Sequence, residues 1–161
     1  MLKDIENWYT SWFDSPYYHI LYKNRDDKEA GLFMKNLTSF LKLSPNSNIL
    51  DLACGKGRHS KYLNQLGYHV TGVDLSPQSI AYAKKFENEN LFFYEHDMSK
   101  PYPKKFDAVL NLFTSFGYFE NEKDNVNTIK SIKKELKPNG FGVIDFLNSD
   151  YVKKNLVPSE T

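Results

Sequence analysis

The sequence predicts an α/β chain built on a doubly wound, mostly parallel sheet, and three observations carry that prediction. The hydrophobic period switches repeatedly between about 3.6 and short continuous apolar runs, the pattern of helices alternating with buried strands. Clusters of Gly, Pro and Asn separate those segments. At 161 residues, 40% hydrophobic and 25% charged, the chain has room for one core and needs no metal or disulfide staple.

Each element follows from local pattern. Residues 28 to 41 set Phe33, Leu37, Phe40 and Leu41 on one helical stripe, which Ser44-Pro45-Asn46 interrupts. Asn48 to Ala53 reads as the first strand. Gly55 and Gly57 turn the chain into a short helix carrying Tyr62, Leu63 and Leu66, which stops at Gly67. His69 to Val73 is the second strand. Ser76-Pro77 supplies an N-cap and a proline at the first helical position, so 77 to 86 is the next helix. Leu91 to Tyr94 and Phe106 to Leu112 are the third and fourth strands, separated by the Pro-rich loop Lys100 to Lys104. Val126, Ile129, Ile132 and Leu136 mark a helix ended by Pro138-Asn139-Gly140. Phe141 to Leu147 is the fifth strand, and Asn148 to Leu156 a short last helix.

Composition narrows the function. Lys+Arg 21 against Asp+Glu 20 leaves a net charge of +1, and Arg25 and Arg58 are the arginines, which argues against a nucleic-acid backbone as partner. One cysteine, Cys54, excludes an intramolecular disulfide. His19, His59, His69 and His96 are too scattered for a paired metal-ligand motif, so no metal is expected. No apolar run approaches the roughly 20 residues of a membrane span, and Met1-Leu2-Lys3-Asp4 opens onto polar sequence; a cytoplasmic location without a membrane partner is expected.

In parallel α/β sheets ligands bind beyond the carboxyl ends of the strands, which selects residues 51–58, 74–76, 96–99 and 111–119. Asp51-Leu52-Ala53-Cys54-Gly55-Lys56-Gly57 joins a strand to a helix through two glycines, allowing close approach of backbone to a ligand. Asp74 ends the second strand, where a carboxylate accepts both hydroxyl protons of a ribose. Position 60 is serine where a dinucleotide fingerprint wants a third glycine, and Asp51 opposes a pyrophosphate while favouring an ammonium. This charge pattern favours S-adenosyl-L-methionine over a nicotinamide cofactor. Asp97 offers a carboxylate to an adenine amino group and Met98 an apolar surface to its ring. Cys54 has no neighbour to activate its thiolate.

On these motifs the sequence resembles the class I S-adenosylmethionine-dependent methyltransferases from about residue 18 onward. Asp51 to Gly57 looks like the family's first motif, with Ala53 where many members carry glycine. Val73-Asp74-Leu75-Ser76 looks like its ribose-binding strand end and His96-Asp97-Met98 like its adenine-binding one. Phe106 to Leu112, which includes Asn111, looks like the strand flanking the methionine part. The resemblance implies a Rossmann-like sheet of order 3-2-1-4-5, normally extended by an antiparallel hairpin that this chain is expected to lack. It implies Tyr22, Asp51, Ala53, Gly55, Arg58, Asp74, Leu75, Asp97, Met98 and Asn111 as cofactor-binding residues. Tyr17 to Tyr22 and Phe113 to Phe119 are similar to small-molecule methyltransferases that act on the amine of amino sugars, which implies Tyr118 and Tyr18 as catalytic candidates. The implied reaction is methyl transfer to a small-molecule amine or hydroxyl, giving S-adenosyl-L-homocysteine. The alternatives are a non-catalytic binding or scaffold module of the same fold and an NAD-dependent oxidoreductase.

One domain over 1–161 is expected, with an aromatic lid or N-terminal helix in 1–27 (Trp8, Tyr9, Trp12, Phe13, Tyr17, Tyr18, Tyr22) and a cofactor-binding core in 28–161 that is C-terminally incomplete. The fifth strand, apolar through Phe141, Val143, Ile144, Phe146 and Leu147, is then a sheet edge, and a homodimer through that edge is expected.

Overall fold

A computed structural model describes residues 15, 17, 20 and 27–157. In order along the chain these form α1 (Asp27–Phe40), β1 (Asn48–Leu52), α2 (Arg58–Gln65), β2 (His69–Asp74), α3 (Pro77–Ala83) with a 3-10 turn (Lys84–Phe86), β3 (Leu91–Glu95), β4 (Phe106–Asn111), α4 (Glu122–Glu135), β5 (Leu136–Ile144) and α5 (Ser149–Lys154). The strands make one sheet of order β3-β2-β1-β4-β5, and every neighbouring pair is parallel. The expected order is therefore observed. Of the expected lid in 1–27, residues 15, 17, 20 and 27 are described, with Tyr17 exposed; Trp8, Tyr9, Trp12, Phe13, Tyr18 and Tyr22 lie outside the described residues.

Side chains alternate across the strands into two cores. Ile49, Val70, Phe93, Ala108 and Leu110 face Met34 of α1, Leu63 of α2 and Ile80 of α3. Leu50, Leu52, Val73 and Val109 face Ile132 of α4, with Met98 and Tyr102 packed against them. The chain enters α2 through Gly57 at φ 78°, where an added Cβ would lie 2.6 Å from the Phe93 ring. Only glycine fits there. Ser76 caps α3 as expected, accepting the Ser79 N–H at 3.1 Å, with Pro77 in its first turn.

The C-terminal half departs from the sequence pattern twice. In α4 the buried residues are Thr128, Ser131, Ile132 and Glu135, whereas Val126 and Ile129 of the expected stripe are 41% and 46% exposed. The cause is what the helix covers: the loop after β3 presents backbone polar groups, which need polar partners. Ser131 Oγ donates to the Ser99 carbonyl at 3.1 Å, and Glu135 Oε1 accepts the Tyr102 N–H at 2.7 Å. Second, Pro138-Asn139-Gly140 does not end the helix. The helix stops at Glu135, Leu136 already pairs with Phe106, and pairing resumes at Ala108 with Phe141, so the intervening residues bulge out of β5 with Asn139 at φ 63°. Lys137 from that bulge returns to Asp107 Oδ2 at 2.8 Å, where the Asn48 N–H also lands. Proline and a left-handed asparagine are read equally well as a bulge and as a helix stop.

Candidate functional site

The carboxyl ends of β1 and β2 lie side by side, and their polar groups are tied to one another. Asp74 Oδ2 accepts the Gly55 N–H at 2.8 Å and Oδ1 accepts the Ser76 N–H at 2.8 Å. These two backbone bonds fix the direction of the carboxylate at the end of β2. The glycine loop is pinned to β2 a second time by the Cys54 N–H on the Val73 carbonyl at 2.9 Å. The two glycines divide the work. Gly57 is required by packing, while Gly55, at φ 54°, has among the described residues no atom within 4 Å of where a Cβ would stand, its own chain neighbours aside. Its backbone borders open space that a ligand can fill. Ala53 holds φ 64°, a left-handed conformation that costs a residue bearing a Cβ and explains why glycine suits this position.

Asp51 is fully buried and accepts Ser60 Oγ–H at 2.5 Å. Position 60 is serine because its hydroxyl satisfies this carboxylate. Burial raises the Asp51 pKa to about 6, with Asp74 adding to the rise and the Ser60 bond opposing it. Burial also pushes the Cys54 thiol well up, which leaves it a packing residue and not a nucleophile. At the end of β3, burial acts to raise the Asp97 carboxyl, but hydrogen bonds from Ser99 N–H and Oγ–H, at 2.9 and 2.8 Å, and Lys100 outweigh it and hold the pKa low. Met98 Sδ lies 3.7 Å from Asn111 Nδ2. Asn111 is wholly buried; Nδ2 donates to the Leu52 carbonyl at 2.9 Å, and Oδ1 has no hydrogen-bond partner. Leu75 is half exposed beside Asp74.

On the other side of the glycine loop a cavity of about 180 Å³ is lined by Glu29, Ala30, Phe33, Arg58, His59, Phe113 and Asp145. The Arg58 guanidinium lies 3.7 Å from Glu29, 3.4 Å from His59 Nε2 and 5.3 Å from the centre of the Phe113 ring. Burial, aided by Arg58, lowers the His59 pKa to about 4. The sequence singled out Arg58 here. Glu29, Phe113 and Asp145 it did not assign, although Phe113 and Asp145 lie past the ends of β4 and β5, where the strand-end rule points. Tyr118 sits in the loop before α4 and is not among the residues lining this cavity. Among the described residues no cluster of His, Cys, Asp and Glu could hold a metal, and no helix is long and apolar enough to cross a membrane.

A parallel 3-2-1-4-5 sheet with a glycine loop, a carboxylate at the end of β2 and another past β3 gathers its polar groups at the carboxyl ends of the strands, where sheets of this class bind their ligands. Comparison with known proteins gives the family. Residues 49–140 match the family model described as "Methyltransferase domain", and the chain belongs to that family. It is 33% identical over 123 residues to YqeM of Bacillus subtilis (strain 168), to which a methyltransferase name is provisionally attached, covering 74% of this chain and 49% of that one. It is 28% identical over 100 residues to the dTDP-3-amino-3,4,6-trideoxy-alpha-D-glucopyranose N,N-dimethyltransferase of Streptomyces venezuelae, covering 62% of this chain and 42% of the relative. Among solved structures, an S-adenosylmethionine-dependent methyltransferase from Clostridium acetobutylicum ATCC 824 superposes with a TM-score of 0.67 at 26% identity, over 81% of this chain and 55% of that one. The chain spans about half the length of the curated relatives it matches. None of these relatives supports the NAD-dependent oxidoreductase.

Proposed function

We propose that this chain binds S-adenosyl-L-methionine across the carboxyl ends of β1 to β4 and transfers its methyl group to a small-molecule amine. The observation that carries the reading is Asp74, fixed by two backbone N–H groups at the end of β2 beside the Gly55 turn, the position from which a carboxylate accepts ribose hydroxyls in this kind of sheet. Leu75 borders the same ribose position. Asp97 and Met98 serve the adenine, and the unsatisfied Asn111 Oδ1 is a ready acceptor near the methionine part. Backbone at Ala53 and Gly55 lines the nucleoside, Asp51 supplies negative potential for the ammonium, and Arg58 meets the carboxylate.

When bound, S-adenosyl-L-methionine supplies a methyl group already activated on a sulfonium. The chain's own contribution is then orientation of the acceptor and exclusion of water. An amine acceptor needs only to be held neutral, while a hydroxyl needs a base. His59, with a pKa of about 4, is too weak a base to deprotonate a hydroxyl at neutral pH. That favours nitrogen, in keeping with the N,N-dimethyltransferase relative. Tyr118 and Tyr18 are proposed to face the acceptor.

The test is incubation with methyl-labelled donor and a matched pair of sugar nucleotides, one bearing an amine and the other a hydroxyl at the same carbon. Label on the amine is expected. Label on the hydroxyl alone would replace the acceptor assignment, and tight cofactor binding with no transfer to a metabolite extract would establish the non-catalytic alternative.

A further inference from the structure

Asp145 follows the end of β5 and makes three hydrogen bonds, one to the last residue of β4 and two to the loop after it. Its N–H donates to the Asn111 carbonyl at 2.8 Å, its carbonyl accepts the Thr114 N–H at 3.3 Å, and its carboxylate Oδ2 accepts the Phe113 N–H at 3.0 Å. The segment so held is unusual. Phe113 and Thr114 have φ of 60° and 57°, two consecutive left-handed residues that each carry a Cβ. Such a pair persists only where surrounding bonds over-determine it. The turn sets the Phe113 ring 5.3 Å from the Arg58 guanidinium, which Glu29 engages at 3.7 Å. The ring face and the carboxylate together fix where that cation points.

We propose that Asp145 is a positioning residue for the carboxylate end of the cofactor: it locks the Phe113-Thr114 turn, and the turn holds Arg58 in place. The inference rests on the assignment of Arg58 to the cofactor made above. Asp145 acts here through an acceptor oxygen and not through its charge, which separates this role from direct pairing with a cationic ligand.

The experiment compares the parent chain with D145A and D145N. It reads amide hydrogen exchange at Phe113 and Thr114, and calorimetric affinity for S-adenosyl-L-homocysteine and for 5′-methylthioadenosine, which lacks the amino-acid tail. D145A is expected to speed exchange at both amides and to weaken S-adenosyl-L-homocysteine about tenfold, the scale of one misplaced charge-assisted contact. Affinity for 5′-methylthioadenosine should stay unchanged. D145N, which keeps an acceptor oxygen, should restore most of both properties. F113L keeps Asp145 and removes the ring, so it should show the same selective loss of affinity even where D145A fails to fold. Unchanged exchange in D145A, equal loss for both ligands, or D145N as damaging as D145A would each overturn the proposal. If the parent binds neither ligand, the cofactor reading itself falls and the proposal with it, whatever the exchange rates show of the turn.

Discussion

Strands β1 and β2 bury almost every side chain, whereas β5, at one edge of the same sheet, leaves Phe141 and Ile144 41% and 36% exposed, with Phe146 and Leu147 more exposed beyond it. Around β1 and β2 the polar groups satisfy one another: Asp51 with Ser60, Asp74 with Gly55 and Ser76. At β5 the register itself breaks between Phe106 and Ala108. The difference teaches where a binding site can be rigid. A strand end packed on both faces holds its carboxylates in fixed directions, and an edge strand paired on one side cannot do so without help such as the Asp145 bonds.

The comparison breaks most sharply at the glycine loop. Gly57→Ala should destabilise the fold by about 3 kcal/mol or more, because it adds a clash with Phe93 to the cost of a left-handed alanine. Gly55→Ala meets no atom among the described residues and should cost only the backbone share, about 1–2 kcal/mol, while weakening cofactor binding. Urea unfolding of the two variants checks the difference, and equal losses would show that Phe93 does not enforce Gly57.

Two buried groups beside this loop make opposing pH dependences. Asp51 has its pKa raised by burial from 3.8 to about 6, so between those values the folded chain holds a proton that the unfolded chain lacks, and stability rises as pH falls. His59 has its pKa lowered from 6.5 to about 4, so between those values the unfolded chain holds the extra proton, and stability falls as pH falls. Each swing is on the order of 3 kcal/mol, and in the parent the two oppose each other. Asp51→Asn should therefore lose stability on acidification from pH 6.5 to 4, and His59→Asn should gain it. Denaturation midpoints across that range measure both slopes, and matching slopes of one sign would contradict the assignment.

Ala53→Gly should raise stability by about 1 kcal/mol by relieving a left-handed alanine, a gain readable as a higher urea midpoint. The smallest effect belongs to the edge. If copies of the chain pair through β5, Ile144→Lys should reduce self-association in sedimentation with little change in unfolding midpoint. A parent that is monomeric at every concentration would remove the homodimer expectation.

The order of elements and the strand-end positions of the residues proposed for the cofactor were legible in the sequence because both depend on local signals. Gly55 and Asp74 stand at strand ends, and strand ends are visible as the limits of apolar runs. What was not legible depends on contacts distant along the chain. Nothing near Val126 or Ile129 reveals that α4 buries Thr128, Ser131 and Glu135 and ties the last two to the loop after β3. Pro138-Asn139-Gly140 has the chemistry of a helix stop, and only pairing with β4 makes it a bulge. The apolar run predicts a fifth strand through Leu147 with Asp145 inside it, whereas β5 ends at Ile144 and leaves Asp145 free to accept the Phe113 N–H, a contact distant along the chain.

The central claim, that Asp74 and the glycine loop form the nucleoside site of a methyltransferase, is tested most directly by calorimetric titration of the parent and Asp74→Ala with S-adenosyl-L-homocysteine and with NAD. The parent should bind S-adenosyl-L-homocysteine in the micromolar range and NAD not at all. Asp74→Ala should lose about 1.5–3 kcal/mol of that affinity, the range for a charge-assisted hydrogen bond. Unchanged affinity in Asp74→Ala, or tighter binding of NAD by the parent, would contradict the account.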